Sequence, residues 1–197
     1  MPYLDRRLVR RYQKLVASHQ LAMQAIASGI HAVPDAASAM AQTQAAYRFF
    51  RNENVSLRGL MLPLIDAVRQ EVPSACHQFL LIAHDWTQLM YPDNTAKEDR
   101  ICLSSKHVPE GHALLTGLAI SDRDGSPLAP LSMQLRAAQG TYCTRVSRVR
   151  TTESPLDELG PTMAHIHSLN LGRPVLHLID AEADSIAHYR EWNQAGH

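Results

Sequence analysis

Phe79-Leu80-Leu81-Ile82-Ala83-His84-Asp85 is the stretch that decides the fold. Five consecutive apolar residues followed by a polar pair are typical of a short strand that is covered on both faces and ends at His84-Asp85. The run from Val175 to Asp180 has the same pattern, an apolar strand that ends on an aspartate. Two more strands are predicted between them, from His112 to Ser121 and from Leu128 to Leu135, joined by the turn Asp122-Arg123-Asp124-Gly125. A mixed α/β fold follows from this pattern.

The front of the chain has helical periodicity instead. Leu8, Tyr12 and Leu15 recur at the spacing of one helical face. The other predicted helices run from Asp35 to about Asn52, from Ser56 to Pro73, from Ser154 to Leu169, and through Ile186 and Trp192, and a loop is predicted from Tyr91 to Gly111. The chain is therefore predicted to begin with a helical module at residues 1–72, followed by a core at residues 73–197.

Composition narrows the class of protein. The chain has 197 residues, of which 45% are hydrophobic, and no apolar run reaches the length of a membrane span or a signal peptide. We therefore expect a soluble, cytoplasmic protein with no membrane partner. The three cysteines lie far apart in no C-x-x-C arrangement, and the eleven histidines show no recognised zinc-ligand spacing. A disulfide framework and a structural zinc site are not expected.

The formal net charge of zero conceals a split along the chain. Residues 1–72 carry nine Lys and Arg against five acids, 9 − 5 = +4, so the remainder carries 10 − 14 = −4. The basic residues that favour contact with a phosphate backbone are Arg6, Arg7, Arg10, Arg11 and Lys14 in the first helix, with Arg48 and Arg51 near the end of the second. We assign the aromatics of Tyr47-Arg48-Phe49-Phe50-Arg51 to the core, which leaves the arginines free. The alternative is an ordinary solvated helix face.

Asp85 and Asp180 are the candidate site residues of the core. Each follows an apolar strand, and ligands collect at the carboxyl ends of strands in sheets with helical crossovers. Two carboxylates there suit Mg²⁺ or Mn²⁺, and a two-ion site would act on a phosphodiester. Asp184 shares the face of Asp180 if a helix has begun, whereas Glu182 points elsewhere. The alternative is that both aspartates only terminate strands, as the turn explains Asp122 and Asp124.

Four segments carry recognisable motifs. The first is TQAAYRFFRNENVS at residues 43–56; the others are His84-Asp85-Trp86-Thr87, the strand pair from His112 to Leu128, and Asp180-Ala181-Glu182-Ala183-Asp184. In order, they resemble the "AAYRF…N..VS" stretch, the "D-T-T" strand end, the "H-S-x-L-A-L…G-x-P-L-G" strands and the "D-R-E-A-D" motif of cut-and-paste bacterial transposases. The family they resemble is the insertion-sequence-four family, and the resemblance spans nearly the whole chain.

The resemblance implies a fold and an activity. The fold is an N-terminal helical DNA-binding domain followed by a ribonuclease-H-like, retroviral-integrase-like core of three antiparallel strands and then alternating helices and strands. The partner is double-stranded DNA at transposon ends, and the reaction is metal-dependent cleavage and strand transfer. Asp85 would bridge two Mg²⁺ or Mn²⁺ ions and Asp180 would hold one of them, as the catalytic pair.

The chain departs from the family pattern at several positions. Trp86 replaces a threonine and Ala181 an arginine, while Tyr189-Arg190-Glu191 lacks the spacing of the Tyr-x₂-Arg-x₃-Glu-x₆-Lys signature that carries the third carboxylate. We therefore expect an incomplete core that binds metal weakly and is inactive alone. The strand before Asp180 would be an exposed sheet edge, which predicts a homodimer or association with a full-length transposase.

Two other functions remain open. The first is a DNA-binding module without chemistry, in which residues 1–72 occupy transposon ends. The second is a metal-dependent nuclease of another class, in which Asp184 or Glu182 completes the site.

Overall fold

The computed structural model describes residues 5–25, 36–94, 96–103, 108–146, 148–152, 154–180 and 185–196. The chain forms two compact units, residues 1–59 and 60–197. Within those described ranges, every helix is too short or too polar to cross a lipid bilayer.

The first unit is a pair of helices. Helix α1 spans Arg6–Ala25 and helix α2 spans Ala36–Phe50. Phe49 is fully buried and stacks on Tyr12, with ring centroids 5.8 Å apart, and Leu8 is buried in the same unit. These contacts hold α1 against α2. Helix α3, Leu57–Ala75, begins where the Ser56 hydroxyl accepts the Gly59 N–H, and it continues into the second unit.

One mixed sheet organises the second unit. Its strands are β1 (Leu80–Met90), β2 (Ile101–Cys102), β3 (Pro109–Ser121), β4 (Pro127–Ala137), β5 (Gly140–Cys143) and β6 (Val175–Ile179). The order is β5-β4-β3-β1-β6, and β2 pairs with the start of β3. All neighbours are antiparallel except β1 and β6, which run parallel from Leu80↔Val175 to His84↔Ile179. The mixed α/β class predicted from the sequence is confirmed.

Helices cover one face of this sheet. Met61, Ile65, Val68 and Val72 recur at helical spacing on α3, and they form one apolar core with strand residues such as Leu80, Ile82, Ala119 and Leu131 and with Ile166 of helix α4, Leu159–Ser168. A short 3₁₀ helix, Pro155–Glu158, leads into α4. Helix α5, Ile186–Gln194, adds Trp192 to a smaller cluster with Leu115, Leu159 and Met163.

Several predicted boundaries were wrong. Strand β1 does not end at His84-Asp85 but runs on to Met90, because β3 pairs with it along its whole length. It is also not covered on both faces, since Leu81 and Ala83 are only half-buried. The predicted loop contains β2, and β5 was not predicted. The boundary between the compact units falls between residues 59 and 60, since most of α3 packs on the sheet and belongs to the second unit. The predicted boundary between a DNA-binding domain at 1–72 and a core at 73–197 is a functional one and stays a prediction.

Asp122 makes hydrogen bonds outside the β3–β4 turn, in addition to the place in that turn predicted for it. Its carboxylate accepts the backbone N–H groups of His77, Gln78 and Phe79, at 2.6, 2.8 and 2.9 Å. These bonds tie the β3–β4 turn to the segment between α3 and β1. They favour the ionised carboxylate and lower the pKa of Asp122 to about 2. Asp124 remains within the turn and accepts the Ser126 N–H.

Asp122→Asn is expected to lower the thermal unfolding temperature at pH 7 and to weaken its dependence on acid. The pKa of Asp122 is lower in the folded chain than in the unfolded one, so its stabilising contribution is complete above about pH 3.8 and is lost as the pH falls towards 2. Thermal unfolding between pH 2 and 7 measures both effects. Asp93→Asn, a change at an exposed loop carboxylate, is the control. Identical curves for the two variants would contradict the role of Asp122.

Candidate nucleic-acid interface and carboxylate pair

The five predicted basic residues of α1 form a continuous exposed surface, here called the basic ridge: Arg6, Arg7, Arg10, Arg11 and Lys14. The first turn of α1 contains no acidic residue. Positive charge near a helix N-terminus opposes the helix dipole, so Arg6 and Arg7 do not stabilise α1 through it. The Asp5 carboxylate accepts the Arg7 N–H at 2.7 Å at this end of the helix, and the side chains of the ridge are exposed, so an external anion can reach them.

Two aromatic rings near the end of α2 are exposed to solvent. The prediction that Tyr47, Phe49 and Phe50 all belong to the core was therefore wrong in part. Only Phe49 is buried, whereas Tyr47 is 59% exposed and Phe50 is 63% exposed. Helical spacing explains the difference, because Ala45, Ala46 and Phe49 fall on the inner side of α2. This spacing could have been recognised in the sequence, but the three aromatics were assigned to the core together because they lie close to one another in the chain.

Two arginines lie beside these exposed rings, and both are exposed as predicted. The Arg51 guanidinium lies 4.8 Å from the centre of the Tyr47 ring, and Arg48 is in the last turn of α2. We call Tyr47, Arg48, Phe50 and Arg51 the aromatic–arginine patch. Arginine supplies charge for phosphate oxygens, so this patch can contact a nucleic-acid backbone. The basic ridge and this patch belong to the same compact unit.

Asp85 and Asp180 each come directly after the last paired residues of the parallel strands β1 and β6. The β1–β6 register ends at His84↔Ile179, and each aspartate is the next residue of its chain. Neighbouring strands are about 4.8 Å apart, so this register brings the two residues together. Both are exposed, and Thr87 Oγ1 donates to Asp85 Oδ2 at 3.1 Å. Asp180 follows the end of β6, whereas Asp85 lies within β1.

Histidines lie on the covered face beside this pair, an arrangement that the sequence did not predict. The ring nitrogens His84 Nε2 and His177 Nδ1 are 2.8 Å apart, and the His167 ring stacks on that of His177. His84 is 4% exposed, and burial lowers its pKa to about 4, so its ring is neutral at pH 7. Strand alternation could have indicated that His84 and Asp85 face opposite sides.

The remaining candidate ligands do not assemble into a metal site within the described residues. No group of three or more His, Cys, Asp or Glu side chains suited to a metal ion occurs there. Glu182 and Asp184, and the substituted position Ala181, lie outside the described residues. Glu191 is an exposed residue of α5. Of the carboxylates predicted for this site, Asp85 and Asp180 are thus the two that the described strands bring to this edge.

Comparison with known families bears on the first unit. Residues 3–55 match the family model described as transposase DNA-binding. The matched span includes both the basic ridge and the aromatic–arginine patch. It supports a transposase N-terminal region with DNA as its partner. No curated protein matches the chain.

Proposed function

We propose that this chain binds double-stranded DNA at transposon ends as the N-terminal part of a DNA transposase. The observation that carries this proposal is the coincidence of the transposase DNA-binding match, residues 3–55, with the exposed basic ridge of α1. A row of arginines binds phosphates by releasing counterions, which requires no base-specific contact. The aromatic–arginine patch adds a second contact surface in the same unit.

The second unit is proposed to be a ribonuclease-H-like core. Support comes from its topology: β1, β3 and β4 are consecutive antiparallel neighbours, apart from the two-residue β2. Helix α4 then leads to β6, which joins the other side of β1 in parallel. The resemblance to insertion-sequence-four transposases implies this order of strands. An incomplete core of that kind is the fold we propose.

Asp85 and Asp180 are the proposed catalytic pair, and they fit a hard cation in part. Their carboxylate oxygens are the ligands that Mg²⁺ and Mn²⁺ prefer, and Thr87 orients the Asp85 carboxylate. A bound metal would polarise phosphodiester oxygens for cleavage and strand transfer. Because the described residues supply two carboxylates rather than three, we expect weak metal binding and little cleavage by this chain alone. A second copy of the chain or a full-length transposase is the proposed protein partner.

A DNA-binding module without catalysis is the second candidate function. The family-model match favours it, since residues 3–55 lie within the first unit. In that case the chain would occupy transposon ends and compete with an intact transposase. The two candidates differ in what the carboxylate pair does, so they can be separated by experiment.

Asp85→Asn and Asp180→Asn are each expected to abolish weak Mg²⁺ or Mn²⁺ binding and to change DNA affinity by less than about twofold. Each substitution removes an anionic ligand but leaves the basic ridge intact. Calorimetry with each metal and titration of a labelled duplex at several salt concentrations measure the two properties separately.

Asp93→Asn is the matched control, since it removes an exposed carboxylate in a loop. If the wild type binds neither metal, the catalytic assignment is wrong and the module without chemistry stands. If the wild type shows no salt-dependent DNA affinity, the DNA-binding proposal itself is wrong.

A further inference from the structure

Within the part of the chain that the structure describes, β6 is an edge strand of the sheet. It is the last strand in the order β5-β4-β3-β1-β6, and no described strand pairs with its outer side. Its five residues, Val175-Leu176-His177-Leu178-Ile179, include no proline, lysine or acid. Natural edge strands commonly carry such residues, which prevent pairing with another chain. Leu176 and Leu178 are also 47% and 41% exposed.

The hydrogen-bonding phase of β6 identifies the residues that face outward. The Pro174 carbonyl accepts the Leu80 N–H, so the even-numbered residues of this segment bond to β1. In a parallel ladder both backbone groups of a residue point to the same side, and successive residues alternate. Val175, His177 and Ile179 therefore direct their N–H and C=O groups away from β1. His177 is the middle one of these three.

We propose that the outer edge of β6 pairs with β6 of a second copy of this chain, antiparallel, in the register centred on His177. This inference deepens the proposed association with a second copy and is independent of DNA binding. In this register His177 faces His177 of the partner subunit, and Val175 faces the partner's Ile179. In an antiparallel ladder of this phase, each of these pairs exchanges two backbone hydrogen bonds across the interface. The two sheets become one continuous sheet.

Side chains and charges favour the same register. Leu176 opposes the partner's Leu178 in a non-hydrogen-bonded pair, the closer type of pair, so the exposed leucines cover one another. Leu176 and Leu178 adjoin Leu81 and Ala83 of β1, so this apolar face becomes continuous across both copies. The antiparallel direction also brings Arg173, before β6, near the partner's Asp180, after it. A parallel arrangement would place like charges together.

A proline substitution at the centre of the register tests the backbone pairing. His177→Pro removes an N–H that points away from β1, so the β1–β6 ladder keeps its bonds. His177→Ala is the matched control, because it removes the same ring and keeps the N–H. In sedimentation equilibrium at about 0.5 M salt, which screens bridging by nucleic acid, we expect wild type and His177→Ala to dimerise. For His177→Pro we expect a dissociation constant about tenfold higher or more.

Cysteine crosslinking tests the register even if the proline variant does not fold. Cys102 is the exposed cysteine among the described residues, so the background is Cys102→Ser. Leu176→Cys and Leu178→Cys oppose each other across the interface, within disulfide range, whereas two copies of either variant are offset by about 7–8 Å. We expect disulfide dimers when the two variants are mixed, and few when each is oxidised alone.

The contrary results are equally specific. Crosslinking of Leu176→Cys by itself would indicate a different register and would overturn the proposal. A wild-type monomer at all concentrations, or equal dimerisation of the proline and alanine variants, would do the same. A monomer, or dimerisation that does not depend on the His177 N–H, would leave the edge of β6 for a strand of a full-length transposase. DNA affinity would be unaffected in every case.

Discussion

Replacing Arg7, Arg11 and Lys14 together with glutamine is expected to weaken binding of this chain to double-stranded DNA by about 100-fold at physiological salt. These three residues recur at one-turn and two-turn spacing on the exposed side of α1. Three lost phosphate contacts reduce the slope of log affinity against log salt by about 2.7. Glutamine keeps the helix propensity of α1 close to that of arginine and lysine. Duplex titration at four salt concentrations gives both numbers.

The control for this variant changes the same net charge elsewhere. Arg123, Arg150 and Arg190 are exposed residues of the second unit, and their replacement by glutamine also removes three positive charges. We expect a DNA affinity within about threefold of wild type from this triple variant, since long-range attraction is screened beyond roughly 8 Å. Equal losses from both triple variants would mean that net charge, rather than the basic ridge, governs binding. Circular dichroism establishes that α1 remains helical.

Strand positions in the core were predictable where an apolar run and a turn coincide. The predicted strand at Val175 to Ile179 was correct in its bounds, and the turn after Ser121 was correct in its place. The extension of β1 to Met90 was not predicted, because the residues from Trp86 to Met90 do not form an apolar run. Their pairing with β3 makes them part of the strand. Long-range pairing of this kind leaves no local trace in the sequence.

The positions of Asp85 and Asp180 at one edge of the sheet could be predicted from the sequence, whereas the histidine contacts beside them could not. Two apolar strands that each lead to an aspartate predict that Asp85 and Asp180 share one edge, and the parallel register brings them together. The contact between His84 and His177 depends on strand register, which the sequence does not specify. The exposure of Tyr47 and Phe50 was missed although helical spacing indicated it. The catalytic role of the aspartates remains a prediction.

The other large expected effect is a loss of stability on breaking the buried ion pair of Arg136 and Glu158. Glu158, which is 6% exposed, lies 3.8 Å from the Arg136 guanidinium and accepts a hydrogen bond from the Thr141 hydroxyl. Burial raises the pKa of Glu158, and the Arg136 charge opposes this rise. Arg136 is itself largely buried on β4, and its guanidinium also donates to the Thr152 carbonyl. The pair therefore connects the sheet to the start of α4.

Glu158→Ala is expected to reduce the free energy of unfolding by about 3–4 kcal/mol, because it leaves the largely buried charge of Arg136 without its anion. That loss lowers the unfolding temperature by about 10 °C for a chain of this size. Urea and thermal unfolding measure the two quantities, with Glu71→Ala, at an exposed glutamate of α3, as a control expected within about 0.5 kcal/mol. Adding Arg136→Met to Glu158→Ala should recover part of the loss, since two apolar side chains leave no buried charge. A double variant as unstable as the sum of the two single variants would show that Arg136 and Glu158 are not coupled, and that the cavity alone destabilises the chain.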